Sequence, residues 1–224
     1  MSDIDATSAR TTTAVRATYI AFIGAGFAFA SWASRIPQVR DRLELTSSQL
    51  GIVLLAIAVG SLLALPLSGI VINRFGSRLT VPVMSDVLAA GLTIISTGYL
   101  VGVVPLLLGL FVLGFANGAW DVAMNVHGAV AERRLGRSIM PRFHAGFSAG
   151  TVVGALIGTL MVVLNVSVTV HLLSVAAAIV VAGMASAPLV HAEGGTLVIA
   201  STQVPRHLNG AVQSGIATAV PSTQ

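Results

Sequence analysis

Three polar residues recur at every fourth position within an apolar segment that runs from 105 to 129. They are Asn117, Asp121 and Asn125, and Asp121 is the only formally charged residue of that segment. A helix places positions i, i+4 and i+8 on one face, so we expect the three side chains to form a polar stripe. Such a stripe can carry a proton and hydrogen-bond a polar solute, or it can hold a buried carboxylate that pairs with another helix.

The composition places this stripe in a membrane. Hydrophobic residues make up 55% of the 224 residues, charged residues 9%, and the mean hydropathy is +0.91. A soluble domain has about a quarter of its residues charged. Six apolar runs reach the roughly 20 residues that a helix needs to cross a bilayer. Their expected bounds are 17–36, 50–72, 80–101, 105–130, 143–164 and 167–190.

Runs of this length without period-two alternation predict helices, which satisfy their own backbone polar groups in lipid. We therefore predict an all-α membrane protein with a six-helix domain over 17–190. Residues 1–16 are interpreted as a cytoplasmic tail, and 191–224, polar and interrupted by Pro205 and Pro221, as a flexible tail or a linker. A cleaved signal peptide at the N-terminus is a weaker alternative, because the first run is long enough to span.

The charge pattern predicts orientation rather than a nucleic-acid partner. All 12 basic residues are arginines, and they lie mostly in short segments between the apolar runs, without forming a basic face. An inner-membrane protein with both termini cytoplasmic would have nine of them inside and three, Arg35, Arg40 and Arg42, outside, as the positive-inside rule favours. Cysteine is absent, and the sequence contains no metal-binding or cofactor-binding motif, so we expect neither a metal nor a cofactor.

A short repeat relates the first and fourth helices. The strings GFAFASW at 26–32 and GFANGAW at 114–120 match at four positions, 88 residues apart. The match is either chance or the sign of an inverted repeat of three plus three helices. We expect Trp32 and Trp120, with Asn117 and Asn125, to line a central cavity. Arg35 would either face that cavity as a counter-charge or extend to the interface.

The fifth helix has small residues on one face, for which we expect a packing role. They are Gly146, Gly150, Gly154 and Gly158. The same helix contains the G-x-S-x-G pattern of serine hydrolases around Ser148, with His144 one turn away. The pattern makes an intramembrane hydrolase an alternative, but a remote one. A nucleophile elbow requires a strand-to-helix turn, which a membrane helix lacks, and His171, a possible partner of Ser148, lies toward the other end of the membrane.

The segment GIVINRFGSR at 69–78 resembles the signature loop between the second and third helices of the major facilitator superfamily. Gly69, Arg74, Gly76 and Arg78 match that signature, and Asn73 replaces its aspartate. The resemblance implies that these residues shape a cytoplasmic gate, with a latch altered by the amide at position 73.

Two further stretches, FASWASRIPQVRDRLELTSSQLG and WDVAMNVHGAVAERRLG, are similar to the sugar-transporter-like branch, which is related to fucose–proton symporters. There an acid and an asparagine four positions later lie in the fourth helix, where this chain has Asp121 and Asn125. The resemblance implies proton-coupled transport of a small polar solute such as a sugar. It covers about residues 15–190, one six-helix half, so the alternative is a half-transporter that is inactive without a second half or a second copy.

Overall fold

The computed structural model describes residues 3–186, including the side chains of 11–186 except 73 and 75–78. Within these residues every regular element is helical, and six stretches are long and apolar enough to cross a membrane. This confirms the predicted all-α membrane fold. The helices are α1 (Asp3–Ala33), α2 (Ile36–Arg42), α3 (Ser47–Val101), α4 (Val103–Leu135), α5 (Met140–Val163) and α6 (Val168–Ser186).

Helix α3 contains two membrane crossings, Ser47–Ile72 and Leu79–Val101. A Cβ on Gly60 would meet Phe111, and one on Gly91 would meet Leu113, so both crossings lie against the same part of α4. In a straight helix Gly60 and Gly91 would be about 46 Å apart, at 1.5 Å per residue. The chain therefore reverses direction inside α3.

Local signals explain where α3 begins and where α4 and α5 are joined. The sequence Thr46-Ser47-Ser48-Gln49 predicts a capping box at the start of α3. The structure confirms it, because the Thr46 hydroxyl accepts from the Gln49 backbone NH and the Gln49 side chain accepts from the Thr46 NH. Gly136 ends α4 with a φ of 63°, in the left-handed region that glycine adopts without strain.

The helices pack in two groups, one around α1 and one around α3, and both groups include α4 and α6. Helix α1 packs against α5, α6 and α4, and α3 packs against α4 and α6. The core between them is made of small and apolar side chains, among them Phe22, Leu92 and Leu110, each fully buried. By contrast, the first crossing of α3 and the span of α5 are mostly exposed at their surfaces.

The crossing of α1 with α5 matches the crossing of α4 with α3. A Cβ on Gly150 would overlap the carbonyl oxygen of Ile23, and one on Gly60 would overlap that of Phe111. Phe111 lies 88 residues after Ile23, the same offset that separates the two GFA strings. A backbone carbonyl of the first helix in each trio therefore rests on a glycine of its neighbour.

One helical turn further along, each crossing again pairs a glycine with an alanine, but the glycine and the alanine have changed places between the two helices. Gly154 contacts Ala30 across the first crossing, whereas Gly118 contacts Ala64 across the second. Since α1 and α4 run in opposite directions through the bundle, these matched crossings relate two inverted three-helix units. The arrangement is consistent with half of a major facilitator fold.

A candidate solute and proton site on α4

Asp121 lies midway along α4, and its side chain is exposed. The side-chain amide of Asn125 donates to the Asp121 backbone carbonyl at 2.9 Å and to the carboxylate Oδ1 at 3.2 Å. Asn117, one turn earlier on the same face, is partly exposed. The predicted stripe is thus a continuous polar strip on a face of α4 that the other described helices leave open.

His144 of α5 is the ionisable neighbour of this strip, close enough to interact electrostatically with the Asp121 carboxylate. Its ring stands edge-on to Phe22 of α1, with ring centroids 5.2 Å apart. Phe22 is itself stacked on Phe143, which is fully buried. The imidazole is therefore held by the contact of α1 with α5, beside a carboxylate that belongs to α4.

Glu132 anchors the turn that joins α4 to α5 and so places His144. Its Oε2 accepts from the backbone NH groups of Ile139 at 2.8 Å and Met140 at 2.7 Å, and from the Ser138 hydroxyl at 3.3 Å. The first NH groups of a helix have no partner within the helix, and a carboxylate satisfies them well. Glu132 was not predicted as a site residue, although an acid eight residues before the start of α5 was a signal for it. His144 was considered from the sequence only as a neighbour of Ser148.

The two repeat tryptophans lie inside the bundle. Trp32 is 2% exposed and Trp120 is 1% exposed, and neither indole nitrogen has a hydrogen-bond partner. Trp120 contacts Gly24 of α1. One helical step turns a side chain by about 100°, which explains how Trp120 points into the core while Asp121 next to it is exposed. The structure thus does not place the tryptophans on the polar strip.

Arg35 lies at the opposite end of the bundle from the α4–α5 turn, beyond the end of α1. It is 1% exposed, and its Nε donates to Nδ1 of His171 at 2.8 Å. The structure therefore assigns Arg35 to a separate buried cluster, apart from Asp121, and it does not extend to the surface.

The segment at 69–78, predicted to be a loop, keeps a helical backbone throughout. The change of direction in α3 is thus made within helical chain, which corrects the expected loop. Gly69 has open space around its α-carbon, and Arg74 is exposed. The structure does not describe the side chains of Asn73 and Arg78 or the surroundings of Gly76. The gate role of this segment therefore remains a prediction.

The glycine face of α5 lies against α1. Gly150 meets Ile23, Gly154 meets Phe27, Gly158 meets Ser34, and Gly146 makes ordinary contacts with Tyr19 and Ile23. Ser148 lies on another face of α5, is exposed and donates to the backbone carbonyl of His144 at 3.1 Å. The Ser148 hydroxyl thus bonds to the backbone of His144 and not to its imidazole, and His171 is hydrogen-bonded to Arg35. No histidine is placed as a base for Ser148, so the geometry offers no support for a hydrolase. Among the described residues no group of three His, Asp or Glu could hold a metal.

The six-helix bundle with its two inverted trios is consistent with half of a major facilitator fold, and the chain is similar to proteins named as transporters. The chain is 35% identical over 131 residues to an uncharacterized MFS-type transporter of Yersinia pestis. It is 31% identical over 164 residues to an uncharacterized transporter of Sinorhizobium fredii, and 31% identical over 119 residues to the membrane protein MosC of Rhizobium meliloti.

The chain spans only part of these relatives. The matched regions cover 58%, 70% and 53% of this chain, but 34%, 41% and 29% of the three relatives in the same order. No family model matches the chain. The protein is therefore an integral membrane protein similar to MFS-type transporters over about a third of their length.

Proposed function

We propose that the chain is a six-helix half of a major facilitator secondary transporter of the inner membrane, with both termini in the cytoplasm. It moves a small polar solute such as a sugar, and Asp121 carries the coupled proton. The observation that supports this most strongly is the exposed carboxylate of Asp121, at mid-depth of α4 and hydrogen-bonded by Asn125.

The Asp121 carboxylate needs surroundings other than lipid. An ionisable side chain facing lipid at the centre of the bilayer costs ~2.5–3.5 kcal/mol on insertion scales. The described helices do not cover Asp121, so water and further protein must. Relatives more than twice as long as the matched region offer such protein. A polar cavity between two six-helix units satisfies the carboxylate and gives a solute access to it.

Asp121 and His144 have complementary roles in this proposal. A carboxylate that alternates between protonated and ionised forms needs hydrogen bonds that serve both, and the Asn125 amide supplies a donor to the ionised form. The nearby imidazole of His144 is close enough to interact electrostatically with that carboxylate. Asn117 and Asn125 are left to hydrogen-bond the hydroxyl groups of a solute.

The second candidate is a half-transporter that works only when paired with another half or with a second copy. The open face around Asp121 favours it, because a solute site formed by one face alone would lack its opposite wall. A native mass measurement in mild detergent distinguishes a paired from a single chain.

The test uses proteoliposomes that contain the chain and an internal pH indicator. Addition of neutral sugars, beginning with L-fucose, should acidify the lumen of vesicles with the wild-type chain and leave the lumen of Asp121→Asn vesicles unchanged. Asp86→Asn is the matched control, since it removes an exposed carboxylate of another membrane helix. Equal proton entry with wild-type and Asp121→Asn chains would refute the coupling role. A wild-type chain that is monomeric and inactive would favour the half-transporter.

A further inference from the structure

A pocket of about 350 Å³ opens at the end of the bundle opposite the α4–α5 turn. It lies where α1 and α2 meet the end of α3 and the connection from α5 to α6. Its walls include Arg35, Gln38, Arg42 and Tyr99, together with backbone and side chains of 162 and 165–168. No acidic residue belongs to this lining. The pocket is thus separate from Asp121 and has the opposite charge.

Arg35 forms a buried wall of the pocket without a counter-ion. Its side chain is 1% exposed, and no ion pair with a carboxylate is found for it among the described residues. Its Nε is used by His171, whereas the terminal nitrogen Nη2 has no hydrogen-bond partner. A guanidinium cannot lose its charge in a protein, so its burial is costly unless an anion pairs with it.

His171 cannot supply that compensation. Because Arg35 Nε–H donates to it, Nδ1 of His171 carries no proton, and the proton of the neutral ring is on Nε2. Nε2 is likewise buried and without a partner. The cluster therefore presents an excess of donors and a fixed positive charge. The guanidinium of Arg42, an exposed residue on the pocket wall, adds a second charge of the same sign.

We propose that this pocket binds a small oxyanion, a carboxylate or a phosphate group, from the solution on that side of the membrane. Its volume suits a small molecule. Nη2 of Arg35, which has no other partner, can donate a charge-assisted hydrogen bond to an oxyanion oxygen. The side-chain NH2 group of Gln38, another residue of the pocket lining, is a further donor for the oxyanion. The site goes beyond the proposed transport site, because it shares no residue with the strip on α4.

The binding test uses the purified chain in neutral detergent and equilibrium dialysis with radiolabelled acetate and radiolabelled inorganic phosphate. One of these probes should bind at one saturable site per chain. Arg42→Gln should weaken that binding at least tenfold. Arg40→Gln removes the same charge from the same short helix but lies outside the pocket lining, and it should leave binding unchanged.

Arg35→Gln tests the role of the buried charge in binding. It should abolish binding of the probe, while size-exclusion chromatography should show that the chain remains monodisperse and therefore folded. If that variant does not fold, Gln38→Ala, a lining change that keeps both charges, should still weaken binding. The proposal is overturned if neither probe saturates or if Arg42→Gln and Gln38→Ala bind as the wild type does. Binding of phosphatidylglycerol vesicles without binding of either free probe would overturn the assignment to a solute in favour of a lipid headgroup.

Discussion

Gly60 and Gly150 make the same contact in the two halves of the bundle. Each lies beneath a backbone carbonyl of the neighbouring helix, that of Phe111 for Gly60 and that of Ile23 for Gly150. Helices approach this closely only when the residue at the crossing has no side chain, since here a Cβ would overlap a carbonyl oxygen. The inverted repeat is thus built from two crossings with the same steric requirement.

Gly60→Ala and Gly150→Ala should each lower the free energy of unfolding by about 1–3 kcal/mol, because overpacking forces the backbones apart. The two changes act at different crossings, so their effects should add in the double variant. Reversible denaturation in mixed micelles, followed by circular dichroism, measures them.

Gly51→Ala is the control for these variants. Gly51 is also in α3, and a Cβ there would meet nothing within 4 Å. Alanine should therefore leave stability unchanged or raise it by up to about 1 kcal/mol, since glycine is the weaker helix former. A loss at Gly51 as large as that at Gly60 would show that the crossings have no special role.

The repeat was recognisable in seven letters because both strings hold the residues that the crossings require. Gly26 and Gly114 start them, and a Cβ on either would overlap a carbonyl of the facing helix. The six spans followed from length and hydropathy alone, and the capping box from Thr46 and Gln49. These features depend on local pattern, which is why the sequence sufficed.

Other features depend on how distant helices meet and were not predictable. The resemblance to the signature loop predicted a loop at 69–78, yet the backbone of α3 stays helical there. His144 approaches Asp121 from another helix, which no spacing within α4 could indicate. From the sequence, Arg35 could either face a central cavity or extend to the interface. Its burial and its hydrogen bond with His171, 136 residues away, depend on how α1 and α6 meet.

The face around Asp121 should be in contact with water. The chain has no cysteine, so single cysteines report accessibility without background. Asp121→Cys in membrane vesicles should react with a charged, water-soluble thiosulfonate. A thiol in contact with lipid cannot ionise and should not react. Rates of modification, followed by a mass shift, give the comparison.

Val181→Cys provides the control for that experiment. Val181 is 66% exposed on α6, among apolar neighbours, and we expect it to face lipid. Its modification should be slower than that of Asp121→Cys by at least tenfold. Equal, slow reaction at both positions would place Asp121 against lipid and remove the basis of the transport proposal.

The Glu132 carboxylate should hold the first turn of α5 in place. Glu132→Ala removes the acceptor for the NH groups of Ile139 and Met140, so these two amides should exchange hydrogen faster. Glu132→Gln keeps one carbonyl oxygen and should show a smaller change. Hydrogen exchange read by mass spectrometry on peptides of 132–145 measures both, and unchanged exchange in Glu132→Ala would exclude the anchoring role.

Orientation can be tested with the same cysteine-free background. The end of α4 and the turn into α5 carry Arg133, Arg134 and Arg137, whereas the segments at 101–103 and 163–168 carry no basic residue. Since positive charge is retained in the cytoplasm, Ser138 should lie inside and Ser48, at the start of α3, outside. In intact cells an impermeant maleimide should label Ser48→Cys and should label Ser138→Cys only after permeabilisation. Both residues are exposed, so a difference between them reports sidedness rather than burial. The reverse pattern would show that the arginine-rich end faces outward, and the oxyanion pocket would then open to the cytoplasm.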